Sequence, residues 1–178
     1  MTWTTPRVWA PAETVTAANL NIYVSNNLTE ITSPPYAYLS SNTATTMTTA
    51  GTYYAQTWDT QIANVGSMHS TGTDPTRITV SQAGTYHIEA TIAMAQQALV
   101  TYFQMAIFVN GVQGSQSPAG MYIPTTPSAN YGLTIARYVA LAASDYVEIK
   151  TRTGQSGYLT VSAAAGNRPI CQMRWVGP

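Results

Sequence analysis

Two hydrophobic periods divide the chain. Leu20, Val24, Leu28 and Ile31 recur at helical spacing and form one stripe. Thr16 stands where an N-cap belongs, Val15 and Leu20 occupy the N′ and N4 positions of a hydrophobic staple, and Pro34-Pro35 ends the segment. This spacing predicts a helix of roughly four turns. Asn19, Asn21, Asn26, Asn27 and Thr29 are poor helix formers, so the segment is expected to be helical only with its stripe docked.

From Tyr36 the period becomes two. Ile78 and Val80 lead into a turn at Ala83-Gly84, and Tyr86, Ile88, Ala90, Ile92 and Met94 share one face of the following strand. Phe103, Met105, Ile107 and Val109 line another, closed by Asn110-Gly111, a pair suited to a tight hairpin. Leu133, Ile135, Arg137, Val139 and Leu141 make a third, and Ser144-Asp145 turns it into Val147, Ile149 and Thr151. Leu159 with Val161, then Cys171, Met173 and Trp175, complete the set. The Thr-rich tract from Thr43 to Thr49 reads as an exposed edge strand. Short strands at this spacing without a second helical pattern predict a sandwich or a barrel.

Residues 1–14 hold two tryptophans and two prolines in a segment too short for a core of its own, which predicts an arm that lies on another surface. The N-terminus has no basic start followed by an apolar stretch, so synthesis in a cytoplasm is expected. No stretch approaches the ~20 apolar residues of a membrane span, and no membrane insertion is expected.

Composition narrows the function. Only 8% of the 178 residues are charged, with seven basic residues against seven acidic ones. Lys150 is the single lysine and the arginines are scattered, so the basic face that nucleic acid demands is missing. The surface is instead built of Thr, Ser, Asn, Gln and 12 tyrosines, groups suited to packing against identical copies. The alternative for the tyrosines is half-burial on strands. Cys171 has no second thiol, and a small apolar place in the last strand is expected for it.

The turn order resembles the jelly roll shared by tumour necrosis factor and the globular heads of complement and collagen-like proteins. The residues that carry the likeness are Ile78 to Ile88, with Gly84 and Tyr86 in place; the hairpin Phe108-Val109-Asn110-Gly111; and Val139 to Val147, where Ser144 replaces the family's usual glycine. The resemblance spans about residues 36 to 177 and implies a homotrimer. The N-terminal third, Trp3-Thr4-Thr5-Pro6-Arg7-Val8-Trp9 followed by Glu13 to Asn21 and Asn26-Asn27-Leu28, resembles the leader on many structural proteins of phages infecting actinobacteria. That likeness implies an attachment module and membership of a virion.

The expected fold is thus mainly β, an antiparallel jelly-roll sandwich with a short N-terminal arm and one helix, divided into residues 1–35 for attachment and 36–178 for the jelly roll. The expected function is non-catalytic: a phage capsid decoration or head-fibre protein on the virion surface, a homotrimer whose further partner is the major capsid protein. Trp3, Pro6, Arg7, Trp9, Leu20, Val24 and Leu28 are the candidate attachment residues. The rival is a minor tail or tail-tip protein, with tail proteins and a host surface glycan as partners and Tyr122, Tyr131 and Tyr158 as ligand-contacting loop residues. No cofactor or metal is expected. His87 with Glu89 reads as an ordinary strand-face pair, and Asp59, Asp74 and Asp145 as turn and loop formers. His69 lies near Ser70 and Asp74, but no Gly-x-Ser-x-Gly supplies a nucleophile on a strained turn.

Overall fold

The computed structural model describes residues 3–95, 102–115, 118–122, 131–154, 158–160 and 167–178, with 95 and 158–160 described through their backbone alone. Thirteen strands occupy the described residues: β1 (Tyr36–Ser40), β2 (Thr46–Met47), β3 (Tyr54–Ala55), β4 (Thr60–Val65), β5 (Ile78–Thr79), β6 (Gly84–Ala95), β7 (Phe103–Val109), β8 (Val112–Gln113), β9 (Ala119–Met121), β10 (Tyr131–Leu141), β11 (Tyr146–Thr153), β12 (Tyr158–Thr160) and β13 (Ile170–Gly177). Every pairing is antiparallel.

Sheet I runs β10-β6-β13-β1-β4, and β12 with β2 extends it along the far end of β6. Sheet II joins β3 and β5 to β11, β11 to β7, and β7 to β8 and β9. The long strands alternate between sheets, with β6, β10 and β13 in sheet I and β7 and β11 in sheet II. This crossing back and forth closes one apolar core between the two inner faces. Tyr86, Ile88, Ile92 and Met94 of β6 meet Phe103 and Met105 of β7, Ile149 of β11 and Met173 of β13, all fully buried. Trp58, Tyr86 and Phe103 are the largest wholly buried side chains, and Cys171 lies buried among them as expected. The Thr-rich tract contributes β2, which among the described residues pairs with β12 alone, while Val161 lies outside them.

The turns follow the sequence chemistry. Asn110 and Gly111 both adopt positive φ, 50° and 78°, as a two-residue hairpin between β7 and β8 requires. Ser144 accepts φ 74° at the β10–β11 turn, where a glycine would have carried no strain. Asp145 offsets this cost, accepting from the Ala142 N–H at 2.8 Å and from Asn110 Nδ2 at 2.7 Å. Asn110 Oδ1 in turn accepts the Tyr146 N–H, so the two hairpin ends are tied together.

The helix spans 17–32, with α1 (Ala17–Leu20) and α2 (Asn26–Thr32) joined through a π-helical turn at Asn21–Ser25. Thr16 caps it, its hydroxyl accepting from the Asn19 N–H. The helix docks by its polar side, not by its stripe. Asn27 and Glu30 are buried, while Leu20, Val24, Leu28 and Ile31 are between 46% and 60% exposed. The reason is hydrogen bonding. Asn27 accepts the Thr4 N–H at 2.9 Å and donates to the Thr4 carbonyl at 2.6 Å, meeting both backbone groups of an arm that pairs with no strand.

Candidate interaction surfaces

The outer face of sheet I is a grid that strand register places side by side. One row crosses five strands as Val65, Tyr36, Arg174, His87 and Tyr138. Two residues along, the next row reads Ala63, Tyr38, Gln172, Glu89 and Ala136. Tyr36 donates to Gln172 Oε1 at 3.2 Å, and His87 tilts against Tyr138 at 4.9 Å between ring centroids. Burial first, then the Tyr38 hydroxyl, push the Tyr36 hydroxyl above its ordinary pKa, against the lowering pull of Arg174. Tyr138 is 64% exposed and Val65 is also exposed on this side. An open cavity of about 410 Å³ stands over the first row, lined by Ser33, Tyr36, Val65, His87 and Arg174 among others.

Sheet II's outer face is already closed. Lys150 lies over Phe108 at 4.6 Å and pairs with Glu148 at 3.0 Å; Arg152 lies over Tyr53 at 4.7 Å and donates to Gln104 at 2.7 Å. Arg77 covers Tyr146 at 4.2 Å. Cations stacked on aromatic faces satisfy both partners and leave little to offer another protein. The contrast marks the face of sheet I as the open one.

The N-terminal segment forms a second surface. Trp3 is half-buried against Trp175, 5.9 Å between centroids, and joins the edge of the core. Trp9 meets Tyr23 edge-on at 6.1 Å, and Arg7 lies over Trp9 while pairing with Glu13. Pro6 and Val8 are exposed, Val8 almost completely. The seven candidate attachment residues therefore separate: Trp3, Arg7 and Trp9 are engaged within the chain, whereas Pro6, Leu20, Val24 and Leu28 face outward.

The loop tyrosines separate as well. Tyr122 is 82% exposed after β9, and Tyr131 is half-buried against the core at the start of β10. The side chain of Tyr158 lies outside the described residues.

His69, Ser70 and Asp74 are each held by contacts of the fold. His69 is buried, with Nδ1 2.8 Å from the Arg77 carbonyl and Nε2 3.0 Å from the Trp58 carbonyl. Ser70 accepts from the Gly72 and Thr73 N–H groups, and Asp74 pairs with Arg77. The three line one open cavity of about 190 Å³, but among the described residues no hydrogen bond joins any two of them. Partial burial raises the Asp59 carboxyl, but hydrogen bonds from Asn42, Thr43 and Thr60 together hold it below its ordinary pKa. Among the described residues no three His, Cys, Asp or Glu side chains gather as metal ligands, and no helix is long and apolar enough to cross a membrane.

The chain resembles solved jelly rolls in backbone geometry. Murine APRIL matches with a TM-score of 0.58 at 10% identity, over 80% of this chain and 98% of that one. The globular domain of zebrafish complement 1qA matches with a TM-score of 0.56 at 10% identity, over 80% and 97%. The fold is a jelly roll of this kind. No protein-family model and no curated protein sequence matches the chain. In this jelly roll the sequence had pointed to tyrosines as a class, but the row Tyr36, Arg174, His87, Tyr138 escaped it. Its members are up to 138 residues apart, and only the sheet register brings them together.

Proposed function

We propose that this chain is a non-catalytic, trimeric structural protein of a bacteriophage particle, a capsid decoration protein held by its N-terminal segment and projecting its jelly roll outward. The observation that carries the trimer is the open, tyrosine-rich outer face of sheet I beside the closed face of sheet II. Tyrosine supplies large contact area at low entropic cost, and a neutral face of this kind self-associates without repulsion. Jelly-roll relatives in the tumour necrosis factor and complement groups supply the precedent for three-fold closure, and the leader residues 3–28 supply the likeness to phage structural proteins.

Attachment falls to the outward stripe Leu20, Val24, Leu28 and Ile31. Each is about half exposed, so full burial gains on the order of 1 kcal/mol apiece, or ~4 kcal/mol per helix. That corresponds to an affinity near millimolar, too weak alone. Three such helices on one trimer raise the avidity by roughly 10²–10⁴-fold, which makes attachment durable.

The tail-tip reading stands second because Tyr122, 82% exposed, is free to stack on a sugar. Quantitative staining of purified virions separates the two. Decoration predicts a copy number of the same order as the major capsid protein; a handful of copies per particle, with adsorption lost on Tyr122→Ala, moves the protein to the tail.

A further inference from the structure

The few charges of this chain are nearly all matched internally. Among the described residues Arg7 pairs with Glu13, Arg77 with Asp74 and Lys150 with Glu148. Asp59 and Asp145 are consumed by turn hydrogen bonds, and Glu30 is buried near Tyr86. Glu89 is the exception among the acids: it makes neither a hydrogen bond nor an ion pair with any described residue. Arg174 is in the same position among the bases of sheet I.

Both lie on the open face, in adjacent rows of the grid, yet they do not join. Arg174 stands opposite His87, and Glu89 stands opposite Gln172. Neither residue opposite Arg174 in the register, Tyr36 or His87, supplies a carboxylate, which favours an incoming anion there. The cavity over Arg174, about 410 Å³ and open, leaves room for one, and no carboxylate among the described residues lines it.

We propose that Glu89 of one protomer enters this cavity and pairs with Arg174 of the next, so that the occupant of the face is a second copy of this chain. The inference rests on the trimer reading above. In a closed ring every protomer presents both groups, so three identical pairs form and none is left over. The alternative, a tyrosine-lined interface closing over two unpaired charges, is disfavoured because a desolvated lone charge is strongly destabilising. The pair also fixes the register of the protomers, which a smooth tyrosine face alone does not.

Charge reversal and mixing test this. Glu89→Arg gives a chain with two positive positions, and Arg174→Glu gives one with two negative positions. Each alone is expected to be folded by circular dichroism and monomeric by native mass spectrometry. Mixed, they are expected to form heterotrimers weaker than the wild-type trimer, because exchange between chains restores opposite signs at two of the three junctions and leaves one like-signed, whereas the chain that carries both Glu89→Arg and Arg174→Glu restores all three and is expected to trimerise. A pair formed within one chain gains nothing from mixing. A folded chain with both reversals that stays monomeric, or single variants that stay trimeric, overturn the pairing while a trimeric wild type leaves the trimer reading intact. A monomeric wild type overturns the trimer itself. Should the reversed variants not fold, Glu89→Gln and Arg174→Gln each raise the trimer dissociation constant by ~10-fold or more, and the double variant is no worse than either. Additive losses overturn the pairing.

Discussion

Replacing Gly84 with alanine tests how the jelly roll seats its N-terminal segment. Gly84 opens β6 at φ +146°, and an added Cβ would stand 2.3 Å from Trp175 Nε1 and 2.4 Å from the Gly177 carbonyl oxygen. The backbone conformation alone costs about 1–3 kcal/mol for a residue with a side chain. Trp175 must then move, giving up its hydrogen bond to the Ala83 carbonyl, worth about 1 kcal/mol, and part of its contact with Trp3, worth about 0.5–1.5 kcal/mol. The total is about 4 kcal/mol. With a urea slope near 2 kcal/mol/M, the unfolding midpoint falls by about 2 M at fixed protein concentration. Tryptophan fluorescence should shift to the red as the Trp3–Trp175 contact opens. Gly132→Ala is the control, because nothing lies within 4 Å of its added Cβ, and its effect stays within about 0.5 kcal/mol. A Gly84→Ala midpoint no lower than the Gly132→Ala midpoint would refute the reasoning.

Three further outcomes follow from the same contacts. Leu28→Ser with Val24→Ser leaves the urea midpoint within about 0.5 kcal/mol of wild type, because both side chains face outward, but lowers co-sedimentation with particles; unchanged binding would move attachment elsewhere. Deleting residues 1–33 removes the Trp3 cover of Trp175 and the Glu30 side of Tyr86, so the β spectrum in circular dichroism persists with a lowered melting temperature, and particle binding is lost. Burial first, and then Glu89, push the Cys171 thiol from 9.0 up to about 12; burial, and then Glu30, push Tyr86 from 10.0 up to about 12. Both folded-state values are raised, so this stability is intact below the unfolded values and is lost as pH climbs from 9 towards about 12. Urea midpoints at pH 8, 10 and 11 should therefore decline, with the onset delayed in Cys171→Ala; a flat profile contradicts the assignment.

The sandwich was legible because its signals are local. Alternation placed Tyr86, Ile88 and Ala90 on one face, and Asn110-Gly111 and Ser144-Asp145 marked hairpin ends that the backbone confirms with positive φ at Asn110, Gly111 and Ser144. Thr16 announced the helix start. The direction of the helix was not legible. A periodic apolar stripe ordinarily faces a core, and here Asn27 outcompetes it by satisfying both backbone groups of Thr4, a partner 23 residues away that no periodicity reveals. The π-turn at Asn21–Ser25 likewise has no single-residue signature, though the run of asparagines hints at weak α-helical preference. The open face of sheet I is invisible for a third reason. Tyr36 meets Arg174, Arg174 meets His87, and His87 meets Tyr138 only through pairings between strands remote in sequence, and register over such distances is set by the whole sandwich.

The central claim, that the outer face of sheet I joins three copies, is tested most directly by the mass of the protein in solution. Light scattering during size exclusion at micromolar concentration is predicted to give three times the 19.1 kDa chain, about 57 kDa. Tyr138→Asp is predicted to return the mass to that of one chain without loss of β structure, since Tyr138 is exposed in the single protomer. A wild-type mass of one chain, or a trimer indifferent to charge at Tyr138, would contradict the account.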